Sequence, residues 1–189
     1  IVQGIIRDKG GFDVLMSLVS ATRTPEELRH KSLWVLGMCV RTHAPSREDF
    51  FAADGARVLA EVLSRRAPKK TRTRAIALLG DLLHVEGVPD AIFADKDATK
   101  KVLADVADVA LDASSSADAV EKSLAVLRAS RARAPEATRE TITMRENDFI
   151  AVADRLDAEA KREDDGYAAD IATRARALAR ESRDARDEL

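Results

Sequence analysis

The chain has 189 residues, with 31 lysines and arginines against 33 aspartates and glutamates and a formal charge of -2. That balance leaves no global field toward nucleic acid or anionic lipid, and an aromatic content of 4% argues against base-stacking surfaces. Cys39 is the only cysteine, so no disulfide framework exists; no apolar run approaches the length that spans a bilayer, and the length suits one domain with a real core.

The opening residues Ile1, Val2, Ile5 and Ile6 read as the stump of a helix whose own repeat is cut short, which leaves apolar surface poorly covered. The chain starts without a methionine or a signal peptide, so the true N-terminus, signal included, is expected upstream. Gly10-Gly11 is a turn between helices and lacks the lysine-serine/threonine continuation of a phosphate loop. The segment Gly11-Phe12-Asp13-Val14-Leu15-Met16-Ser17-Leu18-Val19 follows as the first clear helix.

Thr24-Pro25-Glu26-Glu27 then supplies an N-cap, an N1 proline and first-turn acids for a long helix. Its segment Lys31-Ser32-Leu33-Trp34-Val35-Leu36-Gly37-Met38-Cys39-Val40 places Leu33, Leu36 and Val40 at helical spacing, and Trp34, Met38 and Cys39 are core candidates with them. Cys39 and His43 stand four apart, but no third or fourth metal ligand accompanies them. His30 and His84 are isolated in sequence. Further turns are expected at Pro45, Gly55, Pro68, Gly87-Val88-Pro89 and Pro135.

The first helical segment returns as Gly55-Ala56-Arg57-Val58-Leu59-Ala60-Glu61-Val62-Leu63, an offset of about 44 residues. It returns again as Lys101-Val102-Leu103-Ala104-Asp105-Val106, and more faintly at Phe149-Ile150-Ala151-Val152-Ala153. The second segment is echoed by Arg74-Ala75-Ile76-Ala77-Leu78-Leu79-Gly80-Asp81-Leu82-Leu83 and by Glu121-Lys122-Ser123-Leu124-Ala125-Val126-Leu127, the latter entered through a cap at Ser114-Ser115-Ser116. Gly37 and Gly80 hold equivalent places despite glycine's helical cost of about 1 kcal/mol, which close helix approach explains.

Nothing reads as a strand, because the apolar runs lack alternation and hairpin turns. A period in the forties with two helical segments per unit predicts an all-α, armadillo/HEAT-like solenoid of about four repeats with a C-terminal capping helix. The expected divisions of a single domain over 1–185 are a partial first repeat at 1–22, repeats at 23–66, 67–113 and 114–160, and a capping helix at 161–185. The cap puts Ala168, Ile171, Ala175 and Leu178 on one narrow face. The final residues Arg186-Asp187-Glu188-Leu189 form a tail of the Lys/His-Asp-Glu-Leu type, read by a retrieval receptor, which predicts the endoplasmic reticulum lumen.

The chain resembles the armadillo-type nucleotide exchange factors, in particular the lumenal, BiP-associated branch of that family. The resemblance runs over essentially the whole chain. It is carried by the repeated segments, by Leu78-Leu79-Gly80-Asp81-Leu82-Leu83 and above all by Glu163-Asp164-Asp165-Gly166-Tyr167 and the retention tail. It implies binding to the nucleotide-binding domain of BiP, the lumenal chaperone of the heat-shock-seventy class, with an open arrangement of that domain favoured and ADP released. The family's N-terminal segment before the repeats has no counterpart here.

Helices of successive repeats that line one wall of such an array would present Arg57 and Glu61 opposite the apolar positions Val58, Leu59, Val62 and Leu63. Lys101 and Asp105 hold the same places one repeat later, and Asp13 and Ser17 one repeat earlier. These six side chains are the expected partner-binding ladder, although charges four apart also simply stabilise a solvated helix. Acidic residues are otherwise scattered on polar faces, so the sequence presents no catalytic set and calls for neither cofactor nor metal. The expected protein is a monomeric binding module that takes no nucleic acid and does not insert into a membrane. The alternative is a lumenal armadillo scaffold for another protein or peptide. The rows of asparagine that often serve extended-peptide binding are missing, since Asn147 stands alone.

Overall fold

The computed structural model describes residues 2–64, 66–85, 88 and 92–187, and the side chains of Val2, Ser182 and residues 184–187 lie outside that description. Among the described residues there are eleven α-helices and no strand. They are α1 (Val2–Asp8), α2 (Gly11–Ser20), α3 (Glu26–Thr42), α4 (Ala44–Ala52), α5 (Gly55–Leu63), α6 (Lys69–Leu82), α7 (Lys96–Leu111), α8 (Ala117–Ser130), α9 (Pro135–Thr143), α10 (Glu146–Glu163) and α11 (Gly166–Asp187). No helix among the described residues is long and apolar enough to cross a membrane.

The chain divides into two compact units, Ile1–Ala94 and Asp95–Leu189. In the first unit α1 packs on α4, α2 on α5 and α3 on α6, so the members of each pair lie three elements apart. Sequential neighbours pack as well, α1 with α2, α2 with α3, α4 with α5 and α5 with α6. The core between them holds the stripes that helical spacing marked, Leu33, Leu36 and Val40 of α3 and Val58, Leu59, Val62 and Leu63 of α5, together with Ile76, Leu79 and Leu82 of α6, all of them buried.

Helix entry is built from unusual backbone. Gly10 (φ 72°) precedes α2 and Asp54 (φ 60°) precedes α5. A left-handed residue reverses the chain there, a conformation that glycine adopts freely and aspartate tolerates. α4 begins differently: the Nδ1 of His43 accepts from the backbone N–H of Ser46 at 3.3 Å and lies 2.8 Å from Ser46 Oγ. Pro45 lies in the first turn of α4, and Gly55 and Pro135 are the first residues of α5 and α9, so these expected turn residues act as helix starters. α3 starts at Glu26 with Pro25 as its cap residue and no side-chain cap bond, so Thr24 does not supply the expected cap; Glu26 and Glu27 are the first-turn acids.

Helix ends are closed by arginines. Arg29 of α3 donates to the carbonyl of Ala21 just after α2 at 2.5 Å, and Arg72 of α6 donates to the carbonyl of Leu63 ending α5 at 3.1 Å. The Leu63 carbonyl has no intrahelical partner and takes its donor from Arg72, whereas the Ala21 carbonyl also accepts from the Thr24 N–H at 3.2 Å.

In the second unit α7 packs on α10 and α8 on α11, again three elements apart, while α7 pairs with α8 and α10 with α11. The shorter α9 touches α7, α8 and α11. Asp95 caps α7 by accepting from Ala98 N–H at 2.6 Å, and Ser116 caps α8 by accepting from Ala119 N–H at 3.3 Å, as the serine run predicted. The last helix turns Ala168, Ile171, Ala175 and Leu178 inward, and all are buried. The face that repeats every three to four residues thus carries the packing here too.

Several expectations change. Trp34 and Met38 are 48% and 43% exposed, not core residues. The buried stripe of α3 runs through Leu33, Leu36, Gly37 and Val40, and Trp34 and Met38 lie outside it, about 60° and about 100° past Gly37 at 100° per residue. Cys39 is buried as expected. Gly37 is buried, but a Cβ there would lie 3.7 Å from Leu78 Cδ1, an ordinary contact, so helix approach does not require glycine. Ile5 is more than half exposed, in keeping with poorly covered apolar surface on α1. Ile1, Gly87 and Pro89 lie outside the described residues.

Candidate functional site

The six residues of the expected ladder lie on α2, α5 and α7. On α5, Arg57 and Glu61 project away from the buried Val58, Leu59, Val62 and Leu63, because the polar pair sits on the opposite arc of the helix. Arg57 is already engaged on both sides. Its Nε lies 2.5 Å from Asp54 Oδ2 and its NH1 lies 2.5 Å from Glu61 Oε1. The hydrogen bonds to Asp54 and then Glu61 hold this guanidinium above its ordinary pKa. A partner would have to open a local, solvated set of ion pairs, and such pairs hold only weakly in water.

On α2, which packs against α5, Asp13 and Ser17 are exposed. Asp13 lies in the first turn, where the helix dipole favours an acid. In the second unit, Lys101 Nζ lies 3.1 Å from Asp105 Oδ2 on α7, with Lys101 exposed. Asp105 is only 8% exposed, which corrects its place on an open wall. Valine and leucine neighbours on α7 pack on both sides of its register, so its carboxylate sinks with them while the longer lysine reaches over it. The ladder residues therefore fall into an exposed four in the first unit and a half-covered pair in the second.

The Glu163-Asp164-Asp165-Gly166-Tyr167 element has an internal role. Asp164 adopts a left-handed backbone (φ 52°) between α10 and α11, and Asp165 Oδ1 accepts from the Tyr167 N–H at 2.9 Å. The Tyr167 hydroxyl then donates to Glu121 Oε2 of α8 at 2.8 Å, and Arg174 holds the other oxygen of Glu121 at 3.0 Å. Partial burial, followed by this bond to a carboxylate, pushes the Tyr167 phenol up to about 12. The element aims α11 and latches it to α8.

His43 is accounted for as the cap of α4, and the thiol of Cys39 faces the core, where burial pushes its pKa up. The spacing of four thus joins a cap to a core residue. Among the described residues, no group of three or more histidine, cysteine, aspartate or glutamate side chains is arranged to hold a metal ion. Of the tail Arg186-Asp187-Glu188-Leu189, the last two residues lie outside the described residues, and so do the side chains of the first two.

The feature that sequence reasoning misplaced is the outward face of α3. Lys31, Trp34, Met38 and Arg41 share it at helical spacing, and all are exposed. Arg41 Nε lies 2.8 Å from Asp81 Oδ2, so this face continues onto α6. The signal was present: these residues are out of phase with the Leu33, Leu36 and Val40 stripe. Side-chain hydrophobicity pointed one way and angular position the other, and angular position decided. The chain matches no protein-family model and no curated protein.

Proposed function

We infer that the chain is a nucleotide exchange factor of the armadillo type, acting in the endoplasmic reticulum lumen on a BiP-type chaperone. The observation that carries this reading is the pairing of helices three elements apart, three such pairs in the first unit and two in the second. In the first unit it comes with matched details at the sequence interval of about 44 residues: Gly10 and Asp54 at the helix entries, and Arg29 and Arg72 at the helix ends. Stacked copies of one short supersecondary unit account for both. The tail and the sequence resemblance supply the compartment and the partner.

In this reading the protein works by differential binding and makes or breaks no bond. It grips the open arrangement of the chaperone's nucleotide-binding domain more tightly than the closed one, and ADP prefers the closed one. The two ligands are then negatively coupled, each weakening the other by the same factor. The extent of ADP displacement cannot exceed the factor's own preference for the open state.

The test is release of a fluorescent ADP analogue from purified BiP, with and without the full chain. Faster release is expected. Unchanged release together with measurable binding would favour the scaffold alternative, and unchanged release without binding would sink both. Deleting Arg186 to Leu189 from a signal-bearing version should divert the protein to secretion, and retention despite the deletion would remove the address.

A further inference from the structure

We propose that the outward strip of α3 and α6, centred on Trp34 and Met38, is a protein-docking surface for an apolar recess ringed with carboxylates. Assigning that recess to the chaperone's nucleotide-binding domain rests on the exchange-factor reading; the strip itself is argued from its own chemistry. Trp34 and Met38 stand four apart, so their side chains share one face. They are the only two large exposed apolar side chains among the described residues that sit one helical turn apart on one helix. Trp34 is also the chain's single tryptophan. A half-exposed indole gives up far more apolar area on docking than a scattered leucine would, and tryptophan and arginine dominate the energetics of protein interfaces. Methionine beside it adapts to irregular partners.

The strip is not confined to one helix. The Arg41–Asp81 pair ties its edge to α6, and Arg74 and Ala77 share the face of Asp81 at helical spacing, with Lys70 one turn before Arg74. The charges are unevenly matched. Lys31 is held by Glu27 at 3.2 Å and Arg41 by Asp81, whereas Lys70 and Arg74 have no ion-pair partner among the described residues. Four cations against two carboxylates leave an excess of positive charge, although the chain as a whole is at -2. A partner surface with surplus carboxylates complements that strip and is steered to it. Glu27 and Asp81 lie within the strip, where they would face phosphates unfavourably, so the complement is an acidic protein and not a nucleic acid.

Fluorine NMR of the full chain labelled with 5-fluorotryptophan reads this surface directly, because one tryptophan gives one resonance. The probe is the purified nucleotide-binding domain of a BiP-type chaperone. Its addition should shift the Trp34 resonance, and a Trp34→Ala/Met38→Ala variant should bind about tenfold or more weakly, the scale of an interface anchor. Arg74→Glu should also weaken binding and flatten its salt dependence. All these positions are exposed or half-exposed, and an unchanged thermal melt confirms that the variants fold. Binding at wild-type strength with an unmoved resonance overturns the docking surface and leaves the exchange-factor reading standing. Absence of any binding overturns both. A resonance that moves with single-stranded nucleic acid but not with the chaperone domain overturns the protein partner.

Discussion

Arg72, buried in α6, donates from its Nε to the carbonyl oxygen of Leu63, the last residue of α5, at 3.1 Å. Arg29 donates likewise to Ala21 behind α2, but from Nη2 and to an exposed carbonyl that the Thr24 N–H also reaches. A helix end buried against its neighbour leaves carbonyls without partners, and a guanidinium threaded between the helices supplies the missing donor. Replacing Arg72 with alanine removes a charge-assisted bond and strands a buried acceptor. The expected loss is about 2–3 kcal/mol in chemical denaturation. Arg72→Lys should recover little of it, because an ammonium cannot place a donor where Nε sits. A loss below about half a kcal/mol for the alanine variant would mean that the bond adds no net stability.

Gly55 and Gly37 make opposite predictions. A Cβ on Gly55 would lie 2.5 Å from the carbonyl oxygen of Phe50 and 2.6 Å from its ring, and the backbone oxygen cannot step aside. Gly55→Ala is expected to cost about 1–3 kcal/mol, the range for overpacking a tight site. Gly37→Ala places its methyl in ordinary contact with Leu78 and should stabilise the protein by up to about 1 kcal/mol through helix propensity. Equal effects from the two substitutions would contradict this geometry.

His43 serves α4 as its N-cap, with Nδ1 facing the Ser46 N–H. His43→Ala should lower stability by about 1 kcal/mol, the usual value of a cap. His43→Asp should hold or exceed the wild-type level, since a carboxylate caps at least as well. Were the aspartate variant as unstable as alanine, packing of the ring and not capping would be its contribution.

Tyr167 is the chain's only tyrosine, so tyrosinate absorbance on alkaline titration reports it alone. The folded protein should titrate at about 12, because partial burial and the bond to Glu121 both favour the neutral phenol. The unfolded phenol ionises at about 10. With the folded value raised, its contribution to stability is fully present below about pH 10 and is lost as pH climbs toward 12. Tyr167→Phe should remove that alkaline loss while weakening the attachment of α11 to α8. A titration midpoint near 10 in the folded protein would contradict the latch.

Much of the fold was legible in the sequence. The stripe Val58, Leu59, Val62, Leu63 and the narrow face Ala168, Ile171, Ala175, Leu178 are buried as their spacing required, and Ser116 caps α8. These are local properties: a helix of known period presents a face that composition identifies. The exposed site was legible in part. Arg57 and Glu61 followed from their position opposite the stripe, yet nothing in sequence said that Asp54 also engages the guanidinium, because a left-handed residue at Asp54 sets that approach.

Length, helical period and capping chemistry determined that the chain is helical and which face of most helices turns inward. Tertiary packing alone decided that α1, α2 and α3 meet α4, α5 and α6 in register, that Asp105 sinks from view while Trp34 stays in it, and that Gly37 has room while Gly55 has none. The reason is physical. Periodicity fixes the angle of a side chain about its own helix axis, whereas burial depends on what the neighbouring helix places opposite that angle.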